Sequence, residues 1–244
     1  PGHDAELAVG FLVGEGVIRQ PEDVVEAFHT PLKAGATDPN VIVVRLAKGI
    51  TFDPRRLERH VYTTSSCGVC GKTSLEAIGV IRGPDLPNGP VLTPEVVSSL
   101  PGTLREHQDV FEQTGGLHAA ALFTAEGELV RVREDVGRHN AADAIAGRMW
   151  LEGIDGSDKL FYTTGRLTSE IVMKTAFMGI PALLSRSGVT EMGLELAREI
   201  GMTVIARAKG RHFLVYHGAE NVELDAIPPE RRVPPPTKGM RDLG

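Results

Sequence analysis

The chain has 244 residues, with 26 Lys and Arg against 32 Asp and Glu, a net charge of −6 and 41% hydrophobic residues. This composition suits a folded protein with a substantial core and excludes bulk disorder; the mildly acidic balance argues against a general nucleic-acid binder. No apolar stretch approaches the ~20 residues of a membrane helix, and the opening PGHDAELAVG has no basic signal-peptide region. With no initiator Met, the true N-terminus is expected to be missing or processed.

In chain order, Asp4 to Leu12 reads as a short helix with Leu7, Ala8, Phe11 and Leu12 on one face. The β-branched run Val41 to Leu46 reads as a buried strand. Pro54 to His60 looks helical, the small polar run from Thr63 to Ser74 reads as loop, and a helix is expected to start at Ser74. Pro84, Pro87, Asn88, Gly89 and Pro90 mark a linker. Thr93-Pro94-Glu95 is a helix start with Pro at the first helical position. Two strands follow, Leu117 to Phe123 and Glu128 to Arg133, with Glu126-Gly127 at the turn. His139 to Leu151 is an Ala-rich helix. From Lys159 strands and helices alternate: KLFYT, Ser169 to Met178, PALLS, Glu191 to Ile200, MTVIA, then a final strand FLVYH. Gly179 and Gly201 stand where helix C-termini favour glycine. Such alternation gives right-handed βαβ crossovers, hence an α/β sheet with helices on its faces. The expected division is a smaller mixed α+β N-terminal domain (1–92) carrying the Cys67–Cys70 loop, an α/β domain (93–226), and an extended Pro-rich tail (227–244).

The two cysteines, Cys67 and Cys70, are too close to staple distant elements, and a reducing, cytoplasmic setting is expected. A CxxC pair in a Gly-rich loop can cycle between dithiol and disulfide, supply half a zinc site, or carry a persulfide. Lys72 and a following helix N-terminus would favour the thiolate. A packed, inert pair is the bland alternative. No second Cys pair or spaced His pair completes a structural zinc site. The zinc deaminase signature is also missing: no His has Glu two positions later, and Ser66 precedes Cys67. Ser66 to Thr73 narrowly misses a P-loop because Ser66 replaces its first glycine, and Gly14-Glu15-Gly16 lacks the third glycine of a dinucleotide fingerprint.

The C-terminal half offers anion sites. Thr163-Thr164-Gly165-Arg166-Leu167-Thr168-Ser169-Glu170 joins a strand end to a helix start, with Thr168 or Ser169 as N-cap and Arg166 as a bidentate phosphate donor. Ser185 to Thr190, with Arg186, repeats this arrangement one crossover later. Both loops belong at the carboxyl edge of the sheet, where α/β folds bind ligands. Arg207-Ala208-Lys209-Gly210-Arg211-His212 is a third cationic turn, whose alternative reading is a solvated hairpin tip. Asp135 to Asn140 is a fourth polar loop, with His139 as a base, a phosphate donor or merely a polar helix start. His118 follows Gly115-Gly116, which would let a ligand approach the backbone closely; a buried histidine satisfied by neighbours is the competing reading.

The blocks PGHDAELAVGFLVGEGVI, TSSCGVCGK, TGGLHAAAL, REDVGRHNAAD, GRLTSEIVMK and GIPALLSRSG, in this order, closely resemble the FdhD family of formate dehydrogenase accessory proteins. The resemblance runs from Pro1 to about Gly218. That family normally has a further N-terminal segment before PGHD. The resemblance implies a cytoplasmic sulfurtransferase that accepts sulfane sulfur from a cysteine desulfurase. It passes the sulfur to the molybdenum cofactor of formate dehydrogenase, a bis(molybdopterin guanine dinucleotide). It further implies a cytidine-deaminase-like three-layer α-β-α domain without zinc ligands, Cys67 as the persulfide carrier with Cys70 its companion, and cofactor contacts on Arg207 to His212. Arg166 is assigned as a further phosphate contact. Partners would be the desulfurase, formate dehydrogenase and the guanine dinucleotide, with a homodimer allowed by an apolar helix face and with no nucleic acid or membrane. Two other classes stay open, a thiol–disulfide oxidoreductase and a non-catalytic cofactor chaperone.

Overall fold

The computed structural model describes residues 2–31, 37–52 and 86–223. The expected helix from Pro54 to His60, the loop with Cys67 and Cys70, the helix start at Ser74, Pro84 of the linker and the Pro-rich tail all lie outside the described residues.

The chain opens with α1 (Asp4–Gly14), which Asp4 and Glu6 favour by placing negative charge in its first turn. Two strands that pair antiparallel come next, β1 (Val24–Pro31) and β2 (Thr37–Leu46). The expected strand at Val41 to Leu46 is present, but it is not buried. Val41 is 43% and Val43 38% exposed. The reason is that this ribbon has only two strands, so one face of it meets α1 and the other meets solvent. Strand β1 was not foreseen from the sequence.

The main sheet has six strands in the order β4-β3-β5-β6-β7-β8. They are β3 (His118–Thr124), β4 (Leu129–Asp135), β5 (Lys159–Thr163), β6 (Ala182–Ser185), β7 (Thr203–Ala206) and β8 (Leu214–His217). The three central crossover strands β5, β6 and β7 are parallel; β3 pairs antiparallel with both β4 and β5, and β8 antiparallel with β7. The β3–β4 hairpin turns at Gly127, whose φ of +87° only glycine adopts easily.

Period-two alternation separates the two faces of this sheet. Ala120, Leu122, Phe161, Leu183 and Val204 face a cluster built by α1, α4 (Arg138–Glu152), α5 (Ser169–Phe177) and α6 (Glu191–Glu199). Ala121, Phe123, Leu160, Tyr162 and Leu184 face the opposite way, where Val97, Leu100 and Leu104 of α2 (Pro94–Arg105) cover them. Helix α2 begins as its sequence predicts: the Thr93 hydroxyl accepts a hydrogen bond from the Val96 N–H at 3.3 Å, with Pro94 next. The architecture is therefore a mixed α/β sheet with helices on both faces. Val9, Val13 and Ile18, from the N-terminal stretch, belong to the same core cluster as the sheet.

Helix α3 (Asp109–Thr114) was not foreseen either. The Glu134 carboxylate of β4 accepts from the Val110 and Phe111 N–H groups, both at 2.9 Å. Gly115 closes the helix in a left-handed conformation. Gly115 thus acts as a helix stop, which supplies a local reason for the first of the two glycines before His118.

Candidate functional site at the carboxyl edge of the sheet

Parallel pairing of β5, β6 and β7 forces the segments that follow them onto one edge. The antiparallel neighbours add the start of β3 with His118, the end of β4 with Asp135, and the turn leading into β8. Helices α4, α5 and α6 each begin just after this edge, so their positive dipole ends point at it. Arg138, Arg166, Arg186, Arg207, Lys209, Arg211, His118 and His212 all belong to this rim.

The three cationic loops are tied together by hydrogen bonds. Arg186 N–H donates to the Thr163 carbonyl at 3.1 Å, and Leu167 N–H to the Gly188 carbonyl at 2.9 Å. The buried Ser185 hydroxyl donates to the Gly165 carbonyl at 2.6 Å and accepts from Ser187 N–H at 2.8 Å. Arg207 N–H donates to the Ser187 carbonyl at 2.7 Å, and Ala208 N–H to that of Ser185 at 2.9 Å. Arg207 adopts a left-handed φ of 54°, unusual for a residue with a side chain. The chain reverses there, so Ala208 is buried while Arg207, Lys209, Arg211 and His212 are exposed. The 207–212 segment is therefore a built turn rather than a loose hairpin tip.

A second group of charges sits at the β3–β5 end of the rim. Gly165 is needed there because a Cβ would lie 2.8 Å from Cβ of Arg138. Burial holds the Arg138 guanidinium pKa below its ordinary value, the nearby Arg166 lowers it further, and Glu170 opposes both. His139 Nε2 lies 3.5 Å from Glu170 Oε2. His118 Nδ1 lies 3.4 Å from the Thr164 hydroxyl, and burial, then Arg138, lowers its pKa, which favours the neutral imidazole. His118 is thus half-buried beside Thr164 and Arg138, between the two readings its sequence allowed. Thr168 is the N-cap of α5, but its hydroxyl makes no capping hydrogen bond. Glu170 and Tyr162 were not singled out from the sequence. Glu170 looks like an ordinary first-turn acid and Tyr162 like an ordinary strand residue; only strand pairing reveals their neighbours.

Cys67 and Cys70 lie outside the described residues. The described residues contain no cluster of three or more His, Cys, Asp or Glu side chains able to hold a metal ion, and no helix among them is long and apolar enough to cross a membrane. A separate cavity of about 720 Å³ lies between α1 and β2, lined by Leu7, Phe11, Ile42, Val44, Phe52 and Asp143 among others.

The family model for FdhD/NarQ matches residues 1–223. The chain belongs to the FdhD/NarQ family. Among curated relatives, the sulfur carrier protein FdhD of Streptomyces coelicolor is 45% identical over 235 residues, covering 93% of this chain and 82% of the relative. Those of Saccharolobus solfataricus and Thermoplasma volcanium are 40% and 38% identical, each spanning more than nine-tenths of this chain and 80% of their own length. The crystal structure of a formate dehydrogenase accessory protein from Desulfotalea psychrophila superposes with a TM-score of 0.70 at 27% identity, covering 91% of this chain and 81% of that one. The FdhD/NarQ match thus takes in both the Cys67–Cys70 segment and the whole rim.

Proposed function

We propose that this FdhD/NarQ chain is a sulfur carrier for formate dehydrogenase maturation. Cys67 accepts sulfane sulfur from a cysteine desulfurase as a persulfide and delivers it to the molybdenum cofactor, a bis(molybdopterin guanine dinucleotide). Cys70 assists or resolves by thiol exchange. Thiolate character governs the reactivity of Cys67, and Lys72 favours it. In this reading the α/β domain is a cytidine-deaminase-like three-layer domain without the zinc ligands. Arg166 and Arg207 to His212 hold the nucleotide phosphates of the cofactor, which is the substrate in this reading.

One observation carries the ligand side: cationic loops from three successive strands are gathered on one edge and bonded to each other. Backbone N–H groups, helix N-termini and guanidinium groups are the donors a diphosphate requires. The sulfur side rests on the family and on the CxxC pair. The test is mass spectrometry after incubation with a desulfurase and cysteine. The expected result is a gain of about 32 Da, one sulfur atom, on Cys67, abolished by Cys67→Ala. Formation of a Cys67–Cys70 disulfide alone would instead indicate an oxidoreductase. Full rescue of formate dehydrogenase activity by Cys67→Ala would indicate a chaperone without sulfur transfer.

A further inference from the structure

The cationic turn at 207–212 is anchored from two strands away. Tyr162 lies on β5, is 1% exposed, and donates its hydroxyl proton to the Ala208 carbonyl at 2.6 Å. Burial raises the pKa of this hydroxyl, which keeps it a donor across the working pH range. Ala208 itself is fully buried, between exposed Arg207 and exposed Lys209. Its N–H bonds to the Ser185 carbonyl, and the Ser185 hydroxyl bonds onward to the Gly165 carbonyl, one residue before Arg166. Ser185 is fully buried too. A continuous chain of short bonds thus runs from the base of the Arg207 turn, through Ser185, to the base of the Arg166 loop.

We infer that Tyr162 and Ser185 are positioning residues that set the spacing between the Arg166 and Arg207–His212 contacts, making one rigid cradle for a polyanionic nucleotide. This rests on the functional reading above. The physical basis is that Arg207 holds a left-handed conformation that costs free energy for any residue with a Cβ, so it needs fixed partners on both sides. Its own N–H and the two backbone groups of Ala208 supply three such anchors. Removing the Tyr162 hydroxyl leaves a buried carbonyl without this donor, and the turn can relax. The charged side chains remain but no longer converge.

The experiment measures GDP affinity by calorimetry at several salt concentrations for the full chain, Tyr162→Phe, Ser185→Ala and Leu160→Val. Leu160→Val is a core control, since Leu160 is buried on β5 and touches neither loop in the bonds above. Hydrogen exchange of the Arg207 and Ala208 amides is read on the same samples. Tyr162→Phe and Ser185→Ala are expected to weaken GDP about tenfold, the size of one lost hydrogen bond. They are also expected to flatten the salt dependence and speed exchange at Arg207 and Ala208. Leu160→Val is expected to change none of these, however much it lowers the melting temperature. If both variants keep the affinity, salt slope and exchange rates of Leu160→Val, the positioning role is overturned. If the unmodified chain binds no GDP, the nucleotide reading falls, and the exchange rates still decide whether the two ties hold the turn. Ser185→Ala decides the case alone if Tyr162→Phe does not fold.

Discussion

Asp143 and Lys174 form an ion pair at 2.5 Å, with side-chain exposures of 4% and 1%. Burial raises the Asp143 pKa to about 6; Lys174 pulls the other way without cancelling it, and Glu170 and Glu15 push it up further. A carboxyl whose pKa is higher in the folded chain contributes stability that is complete below its unfolded value of 3.8 and lost as pH rises through about 6. The free-energy advantage of the native chain over Asp143→Asn should therefore fall by about 2–3 kcal/mol between those limits and be level above them. Urea denaturation at a series of pH values checks this, and a constant difference would refute it. A residue at this scale was invisible in the sequence. Asp143 and Lys174 sit in two different helices, and neither lies at the predicted sites. The cationic loops that carry Arg166 and Arg207 to His212, by contrast, were legible as turns at strand ends, because Gly-punctuated cationic runs after β-branched runs have a local chemical meaning.

Between elements, α1 and α4 approach backbone to backbone. They cross at Gly10 and Gly147, where a Cβ on Gly10 would run into the Asp143 carbonyl and one on Gly147 into the Glu6 carbonyl. Glu6, 6% exposed, ties α1 to both neighbours: it accepts from Arg133 of β4 at 2.6 Å (Nε) and 2.9 Å (Nη2), and from Arg148 Nη1 of α4 at 3.3 Å. Helix propensity alone says that Gly→Ala in a helix stabilises by up to about 1 kcal/mol. Backbone-to-backbone packing reverses the sign here: Gly10→Ala and Gly147→Ala should each destabilise by about 2 kcal/mol or more. Gly102 in α2 has open space around its Cβ position, so Gly102→Ala should follow propensity and stabilise. Thermal denaturation of the three variants separates the two effects. Local reading of the sequence located both crossing helices: an apolar face marked α1 and a run of alanines marked α4. It missed β1 and α3, because each is held by a partner outside its own segment: β2 pairs with β1, and Glu134 caps α3.

For the whole molecule, net charge and local field disagree in a useful way. The chain carries −6 overall, yet one sheet edge concentrates arginines and three helix N-termini. A negative body discourages nonspecific binding of polyanions, while the local field at the rim favours an anion there. GDP binding should weaken as salt rises, because exposed guanidinium–phosphate contacts are screened. ADP should bind more weakly than GDP if the base is recognised; calorimetry with both nucleotides settles this, and equal affinity contradicts base recognition.

Apart from α3, the order of strands and helices after Thr93, the hairpin turn at Gly127 and the cationic loops were determined by sequence alone, because local propensity, caps and turn chemistry act within a few residues. The family blocks fixed the relationship to FdhD/NarQ in the same way. Only the tertiary structure decided that Val41 and Val43 face solvent, that α1 joins the sheet's core, and that Tyr162 reaches Ala208. These depend on which surfaces meet, and such pairings join residues tens of positions apart that no local pattern connects.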